Sequence, residues 1–316
     1  DYFKALGGKI PEDQAIGKTI AAVINKSPNT VYRKMRGEIG LHLDEYISIV
    51  KYFNLELNIL DSEKKTTRFS NMMNLESREN QLEFMRFIQL WLRQESQLKG
   101  HRRITVLLPE IPIYHFLKYP GLSTFLSHYW LNNGIFQLSD PKDIEHPLSQ
   151  DTQLSFESVS RSFEQIDCKE FITVESVNKT LVKLEAGLKA KWYNSSEYLC
   201  MLEQLLSLVN EYEISVAKGS SRNGNKLDVY LIDSHYSNAL LQLTISGKPF
   251  SSLTNTGNSM FMETQSSAYN DAMSRHIENV VSTSTLISKS SQRIRNELFN
   301  HYKTQIENKI TAFHFD

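Results

Sequence analysis

The stretch "AIGKTIAAVINKSPNTVYRKMRG", residues 15–37, contains two short helical patterns separated by a turn. Ser27 is a preferred N-cap residue. Pro28 fits the first helical position, because the amide hydrogen that it lacks would have no partner there. The pattern predicts a first helix, a turn, and a second helix that ends at Arg36 before Gly37. The first helix has an apolar face with four members: Ile16, Ile20, Val23 and Ile24.

The second of these helices has an asymmetric distribution of charge. Val31 and Met35 are four residues apart and would face inward together, while Tyr32 fits either side. Between Lys18 and Arg36 the chain has five cations and no acid, although the first sixty residues are nearly balanced in charge. A positive face on a helix-turn-helix suits the major groove of DNA. Charge alone would more often indicate a solvated cationic surface, and it is the surrounding helix-turn-helix pattern that favours DNA.

The residue types on this face indicate which side chains would contact DNA. Residues near a helix N-terminus enter the groove most deeply, so we expect Asn29, Thr30 and Arg33 to read base edges. Three cationic residues are the candidates for phosphate contact: Lys26, Lys34 and Arg36. Ser27 is expected mainly to cap the helix, although its backbone N–H could also meet a phosphate. Tyr32 completes the candidate DNA-binding set.

Residues 16–60 resemble the DNA-binding domain of the lambda-repressor/Cro (XRE) class, and within it the BetR-type bacterial regulators. The features that carry the resemblance are the apolar helix, Ser27 at the turn, "VYRKMRGE", and the ending helix "LHLDEYISIVKYFNLELNIL". The resemblance implies a bundle of four or five helices with 27–36 as the recognition helix. The first helix would come from "DYFKALGG" or "PEDQAIGK" and would be short, as after a truncation. The resemblance also implies a core made of Leu43, Tyr46, Ile47, Val50, Phe53 and Leu55.

Composition changes divide the rest of the chain. The 316 residues are too many for one compact core, so we expect at least two domains. Residues 62–80 are rich in charge and poor in hydrophobic residues, which predicts a linker after a helix-turn-helix domain at 1–61. The remainder, 81–316, is predicted to be a sensing and dimerisation domain with room for two subdomains.

Helical and strand patterns alternate in this larger part. Helical spacing predicts helices at 81–99, 121–131, 174–190, 196–217, 267–282 and 289–310. "RITVLL" reads as a strand or a short buried helix, and "LDVYLID", "ALLQLTIS" and "SMFME" read as an antiparallel meander. We therefore predict an α+β multidomain protein, with an N-terminal all-α helix-turn-helix bundle followed by a larger helical domain with a small antiparallel sheet.

The cysteines and the hydropathy of the sequence indicate in which cellular compartment the protein is expected. Cys168 and Cys200 are far apart and form no CxxC motif, which favours free thiols in a reducing cytoplasm over disulfides or a four-cysteine zinc site. No apolar run approaches the ~20 residues that span a bilayer. The longest candidate, "ITVLLPEIPIYHFL", contains two prolines and a glutamate. We expect a cytoplasmic protein without a membrane partner.

Motifs for catalysis are sparse. The sequence contains no HExxH, no Walker loop and no GxSxG elbow. Asp228, Asp233 and His235 lie close together in sequence and would fit either a metal or hydrolytic site, or polar residues that end a strand. We favour the second interpretation, and expect no catalytic residues, no metal and no cofactor.

These observations predict a sequence-specific DNA-binding transcriptional regulator with a C-terminal sensing or oligomerisation domain. Its partners would be double-stranded DNA, a second copy of the chain, and an unidentified small-molecule effector. The helix at 82–98 and the terminal helices are candidate dimer surfaces, or they simply cover their own core. Two other functions remain open: an enzyme acting on nucleotides or nucleic acid with an appended helix-turn-helix, and a protein-interaction adaptor.

Overall fold

In the part of the chain that the structure describes, the N-terminal bundle contains three helices: α1 (Ile16–Val23), α2 (Pro28–Met35) and α3 (Leu43–Tyr52). The computed structural model describes residues 16–53, 67, 69, 71–93, 101–108, 110–132, 148–233, 239–256 and 259–315. Of the two segments predicted to supply an earlier helix, all of 1–8 and most of 11–18 lie outside this part of the chain, as does Leu55; residues 16–18 begin α1.

Local hydrogen bonds explain the turn between α1 and α2. Asn25 has a φ of 51°, a left-handed conformation that Asn tolerates better than most residues. This conformation lets the N–H of Lys26 donate to the carbonyl of Ala21 at 3.0 Å, which closes the end of α1. Ser27 then caps α2 by accepting a hydrogen bond from the N–H of Thr30 at 3.2 Å. The structure thus contains the helix, the turn and the second helix that the sequence predicts here.

The bundle has a small apolar core. Its buried members come from all three helices: Ile20, Ala21, Ile24, Val31, Ile49, Val50 and Phe53. Of the core residues that the family resemblance implies, Val50 and Phe53 are buried, whereas Tyr46 and Ile47 are half-buried. Helix α2 ends as predicted: Gly37 has a φ of 77°, and its N–H donates to a carbonyl of the last turn.

Residues 71–315 form a larger body. Its strands are β1 (Asn71–Asn74), β2 (Arg102–Leu107), β3 (Asp167–Ile172), β4 (Leu227–Leu231), β5 (Leu240–Ile245), β6 (Lys248–Thr256), β7 (Met260–Thr264) and β8 (Thr285–Leu286). Its helices are α4 (Arg78–Arg93), α5 (Pro120–Asn132), α6 (Gln150–Phe163), α7 (Ser176–Lys189), α8 (Ser195–Lys218), α9 (Ser267–Ser282) and α10 (Gln292–Phe315). A 3₁₀ turn spans Ile113–His115.

The sheet of the body differs from the predicted one. It has eight strands in the order β1-β7-β6-β5-β2-β3-β4-β8. Strands β2, β3 and β4 are parallel, with Cys168 opposite both Ile104 and Leu227, and the other pairings are antiparallel. The expectation of a small antiparallel sheet is therefore wrong: the sheet is large and mixed. Helical connections, α5–α6 and then α7–α8, allow consecutive strands to run parallel.

The predicted antiparallel meander is only partly present. Strands β5, β6 and β7 pair in sequence, and the β5–β6 turn contains Ser246 and Gly247, both with positive φ. By contrast, "LDVYLID" supplies β4, which pairs with β3 and β8 and not with β5. Part of the segment predicted as a linker also belongs to the sheet, since β1 pairs with β7, and Asn71 donates to Glu263 at 2.5 Å.

Helices cover the two faces of the sheet unequally. One face carries Ile104, Val106 and Leu243 and packs in the large core shared with α4 to α8 and α10. The other face carries Leu107 and Phe171 and packs against α9. Strands covered on both faces need apolar residues at successive positions, which is the pattern of parallel sheets.

Candidate nucleic-acid interface

Helix α2 exposes one side to solvent and packs the other against the bundle. Asn29, Tyr32 and Arg33 are exposed, Thr30 is half-buried, and Val31 is fully buried. Three flanking candidates are exposed as well: Lys26, Ser27 and Arg36. Six of the eight predicted contact residues are therefore exposed, and a seventh, Thr30, is half-buried.

Glu38 contacts both arginines of this region. Its carboxylate accepts from Nε of Arg33 at 3.1 Å and from Nε of Arg36 at 2.6 Å. The hydrogen bonds from Arg36 and Arg33 lower the pKa of Glu38. All three side chains are solvent-exposed, so water screens these ion pairs and other anions can replace Glu38. Sequence analysis did not identify Glu38 as part of this surface.

Lys34 differs from the other cations. Its side chain is only 3% exposed, and Nζ donates to Glu45 Oε2 at 2.9 Å and to the carbonyl of Gly40 at 2.6 Å. A buried ammonium held by α3 does not reach a phosphate, so the predicted phosphate contact of Lys34 does not fit the structure. The sequence contains the signal: Val31, Lys34 and Met35 have the i, i+3, i+4 spacing of one helix face.

The carboxylate of Glu45 joins α2 to the start of α3. Besides Lys34, it accepts from the backbone N–H of His42 at 2.9 Å. Burial by itself would raise the pKa of Glu45, but the His42 N–H and the Lys34 ammonium outweigh burial, and the pKa lies below its usual value. This ion pair fixes α2 relative to α3.

The side chain of Tyr32 is partly packed against the bundle and partly exposed, so it fits neither of the two predicted sides completely. Its side chain lies against α1 at Gly17, where an added Cβ would lie 2.5 Å from Cζ of the ring. The residue nevertheless stays 38% exposed. Glycine at position 17 thus allows the tyrosine to pack on α1 while part of its side chain remains accessible.

A second polar cluster lies inside the body, around Glu170 of β3. Tyr114 and Tyr212 donate their hydroxyls to the fully buried carboxylate of Glu170, the latter at 2.5 Å, and His115 Nε2 lies 3.3 Å from both oxygens. Burial would raise the pKa of Glu170, but the charge and hydrogen bonds of His115 and the hydroxyls of both tyrosines lower it. Burial also raises the pKa of both tyrosines. The oxygens of Glu170 already accept hydrogen bonds, and its lowered pKa keeps it ionised. Such a carboxylate lacks the pKa near neutral pH that suits a general base.

The proposed metal or hydrolytic grouping is only partly described. Asp228 lies on β4 and pairs with Lys226 at 2.7 Å, while His235 lies outside the described residues. Within the described ranges, no group of three His, Cys, Asp or Glu side chains is placed to hold a metal ion.

Comparison of this chain with protein-family models, curated proteins and solved structures finds no match. The likeness to the lambda-repressor/Cro class therefore rests on the residues at 16–60. None of the helices in the described ranges combines the length and apolar character that crossing a bilayer requires.

Proposed function

We propose that this protein is a sequence-specific DNA-binding regulator of transcription and that α2 is its recognition helix. One observation carries the proposal: Asn29 and Arg33 are exposed one turn apart on α2, with the half-buried Thr30 next to Asn29, while Val31 and the ion-paired Lys34 are buried in the bundle. An amide, a hydroxyl and a guanidinium are the groups that read base edges in the major groove.

We assign different roles to the cations. Lys26 and Arg36 are exposed beside α2 and remain the candidates for phosphate contact. Lys34 instead orients the helix through Glu45. Arg33 and Arg36 would exchange Glu38 for DNA on binding, because exposed ion pairs are weak.

The proposal also places the protein in the cytoplasm. Cys168 is buried and Cys200 is exposed, and both are free thiols. Exposed free thiols are more common in reducing compartments, where disulfides do not persist. A homodimer on two adjacent half-sites would give the protein enough base contacts for specificity.

The central test is selection of preferred sequences from random DNA duplexes, followed by binding titrations with variants. We expect Arg33→Ala to relax the preference at one base pair and to weaken specific binding by about 1–3 kcal/mol. Lys26→Ala should weaken binding to all sequences equally and lower the salt slope by about one. Lys51→Ala is the matched control, since this exposed lysine lies on α3. If selection returns no preferred sequence and all three variants bind like the parent protein, the proposal fails.

Glu38→Gln tests the same interface with an effect of opposite sign. The change removes the carboxylate that competes with DNA for Arg33 and Arg36. We expect tighter binding to every sequence, most clearly at low salt, because the surface gains one unit of positive charge. Weaker or unchanged binding would show that Arg33 and Arg36 do not face the DNA.

A further inference from the structure

The body contains an apolar cavity of about 320 Å³ on the face of the sheet that carries the large core. Protein interiors are normally close-packed, and an unfilled space deprives its lining of contacts. A cavity of this size has the volume of a small-molecule site. Side chains from α4, α5 and the strands are among those that line it: Phe84, Ile88, Trp130, Leu241, Leu253 and Phe261.

Charged side chains lie at one part of the lining. Lys183 of α7 pairs with Glu110, and its Nζ lies 4.5 Å from the centre of the Tyr129 ring. Lys179 lies one helical turn before Lys183 and lines the same cavity. All four residues are half-buried, which places them where the cavity meets solvent.

The charges at this rim do not balance. Glu110 already pairs with Lys183, and no carboxylate within the described ranges forms an ion pair with Lys179. Among the described residues, the rim therefore holds two cations and one anion around an apolar interior. A half-buried ammonium favours a partner of opposite charge, and a bound carboxylate would supply it.

We propose that this cavity binds an amphipathic carboxylic acid, with its hydrocarbon part among the apolar side chains and its carboxylate against Lys179. Since a cavity of about 150 Å³ holds benzene, the volume here fits about a dozen non-hydrogen atoms. An ammonium ligand would be repelled by the excess positive charge of the rim. A neutral ligand would leave Lys179 without a partner. The site is separate from the DNA-binding proposal, because no residue of α1 to α3 lines it.

Direct binding of matched ten-carbon ligands tests the assignment in the full-length protein. Decanoate, 1-decanol and decylamine are titrated by calorimetry, and Trp130 in the lining provides a fluorescence signal. We expect decanoate to bind most tightly and decylamine most weakly. Lys179→Ala should weaken decanoate about tenfold and leave 1-decanol unchanged, because only the charge contact is lost.

Two further variants complete the experiment. Lys189→Ala is the matched control: this lysine lies exposed on the same helix and outside the cavity lining, so decanoate should bind as before. Leu126→Trp extends a lining residue into the cavity and should abolish binding of all three ligands. The proposal is overturned if decylamine binds more tightly than decanoate, or if Lys179→Ala leaves decanoate affinity unchanged. It is also overturned if no ligand binds at about 1 mM, the weak end of specific affinities. None of these outcomes depends on DNA binding.

Discussion

At the scale of single residues, the buried pair of Lys34 and Glu45 sets the orientation of α2. Both side chains are almost fully buried, at 3% and 6% exposure. Removing one partner leaves an uncompensated charge in the interior, which costs roughly 3–5 kcal/mol. We therefore expect Lys34→Ala to lose most of the stability of the N-terminal bundle. Hydrogen exchange of amides in residues 16–53, measured in the intact protein, reports this loss directly.

The matched control replaces both members of the pair. Lys34→Met with Glu45→Leu removes both charges and keeps apolar volume, a change that is often neutral in buried pairs. Exchange in the bundle should then return close to that of the parent protein. If Lys34→Ala alone leaves amide protection unchanged, the pair does not hold α2, and a role for Lys34 at the DNA phosphates becomes the better explanation.

At the scale of elements, strand β3 carries a charge into the core through Glu170. The folded-state pKa of this carboxylate lies below its unfolded value of about 4.3. Its contribution to stability is therefore present above the unfolded pKa and is lost as the pH falls through the folded pKa. We expect Glu170→Gln to be less stable than the parent protein near neutral pH, with a difference that shrinks below about pH 4.

Urea unfolding of both proteins between about pH 3 and pH 7 measures this difference. Glu203→Gln provides the control, since Glu203 lies exposed on α8 and should change the free energy of unfolding little at any pH. If the difference in free energy of unfolding between Glu170→Gln and the parent protein does not change with pH, the assigned ionisation of Glu170 is wrong.

The same strand shows why the sheet was harder to predict than the helices. Long helices such as α8 and α9 follow from their 3.6-residue spacing, and the structure confirms them within a few residues. Strand β3 has the sequence "DCKEFI", in which the charged Glu170 interrupts the apolar pattern of a buried strand. The burial of Glu170 could not be predicted, because the tyrosines that satisfy its carboxylate, Tyr114 and Tyr212, are far away in sequence. Without this strand, the parallel centre of the sheet could not be anticipated. Helix α6 was missed as well.

At the scale of the whole molecule, only those features of the candidate interface could be predicted that depend on residues close together in the sequence. The Ser-Pro start and the glycine end fix the limits of α2, and both are visible in the sequence. The partner of Lys34 could not be found this way, because Glu45 belongs to the next helix and meets it only after folding. The cavity likewise depends on side chains from elements that are distant along the chain.

Dimerisation is the remaining prediction at this scale. One recognition helix contacts only a few base pairs, so two copies with their α2 helices ~34 Å apart would match successive turns of DNA. Helix α4, one of the predicted dimer surfaces, packs its apolar side on its own body but leaves Leu90 60% exposed. We expect light scattering on the selected DNA site to find two 36.5 kDa chains bound to each duplex. Leu90→Arg should shift the protein toward single chains, because a charge in an apolar contact disfavours association.

The control for this experiment is Val182→Arg on α7, a similarly exposed apolar residue on a helix that is not a predicted dimer surface, and this change should leave the mass unchanged. Measurement with and without DNA distinguishes a dimer that forms in solution from one that forms only on DNA. A dimer of the second kind gains its stability from the adjacent half-sites. If a single chain occupies the site at every concentration, the specificity must come from one α2 helix. The preferred sequence would then be short and would lack two-fold symmetry, which the selected sites would show independently.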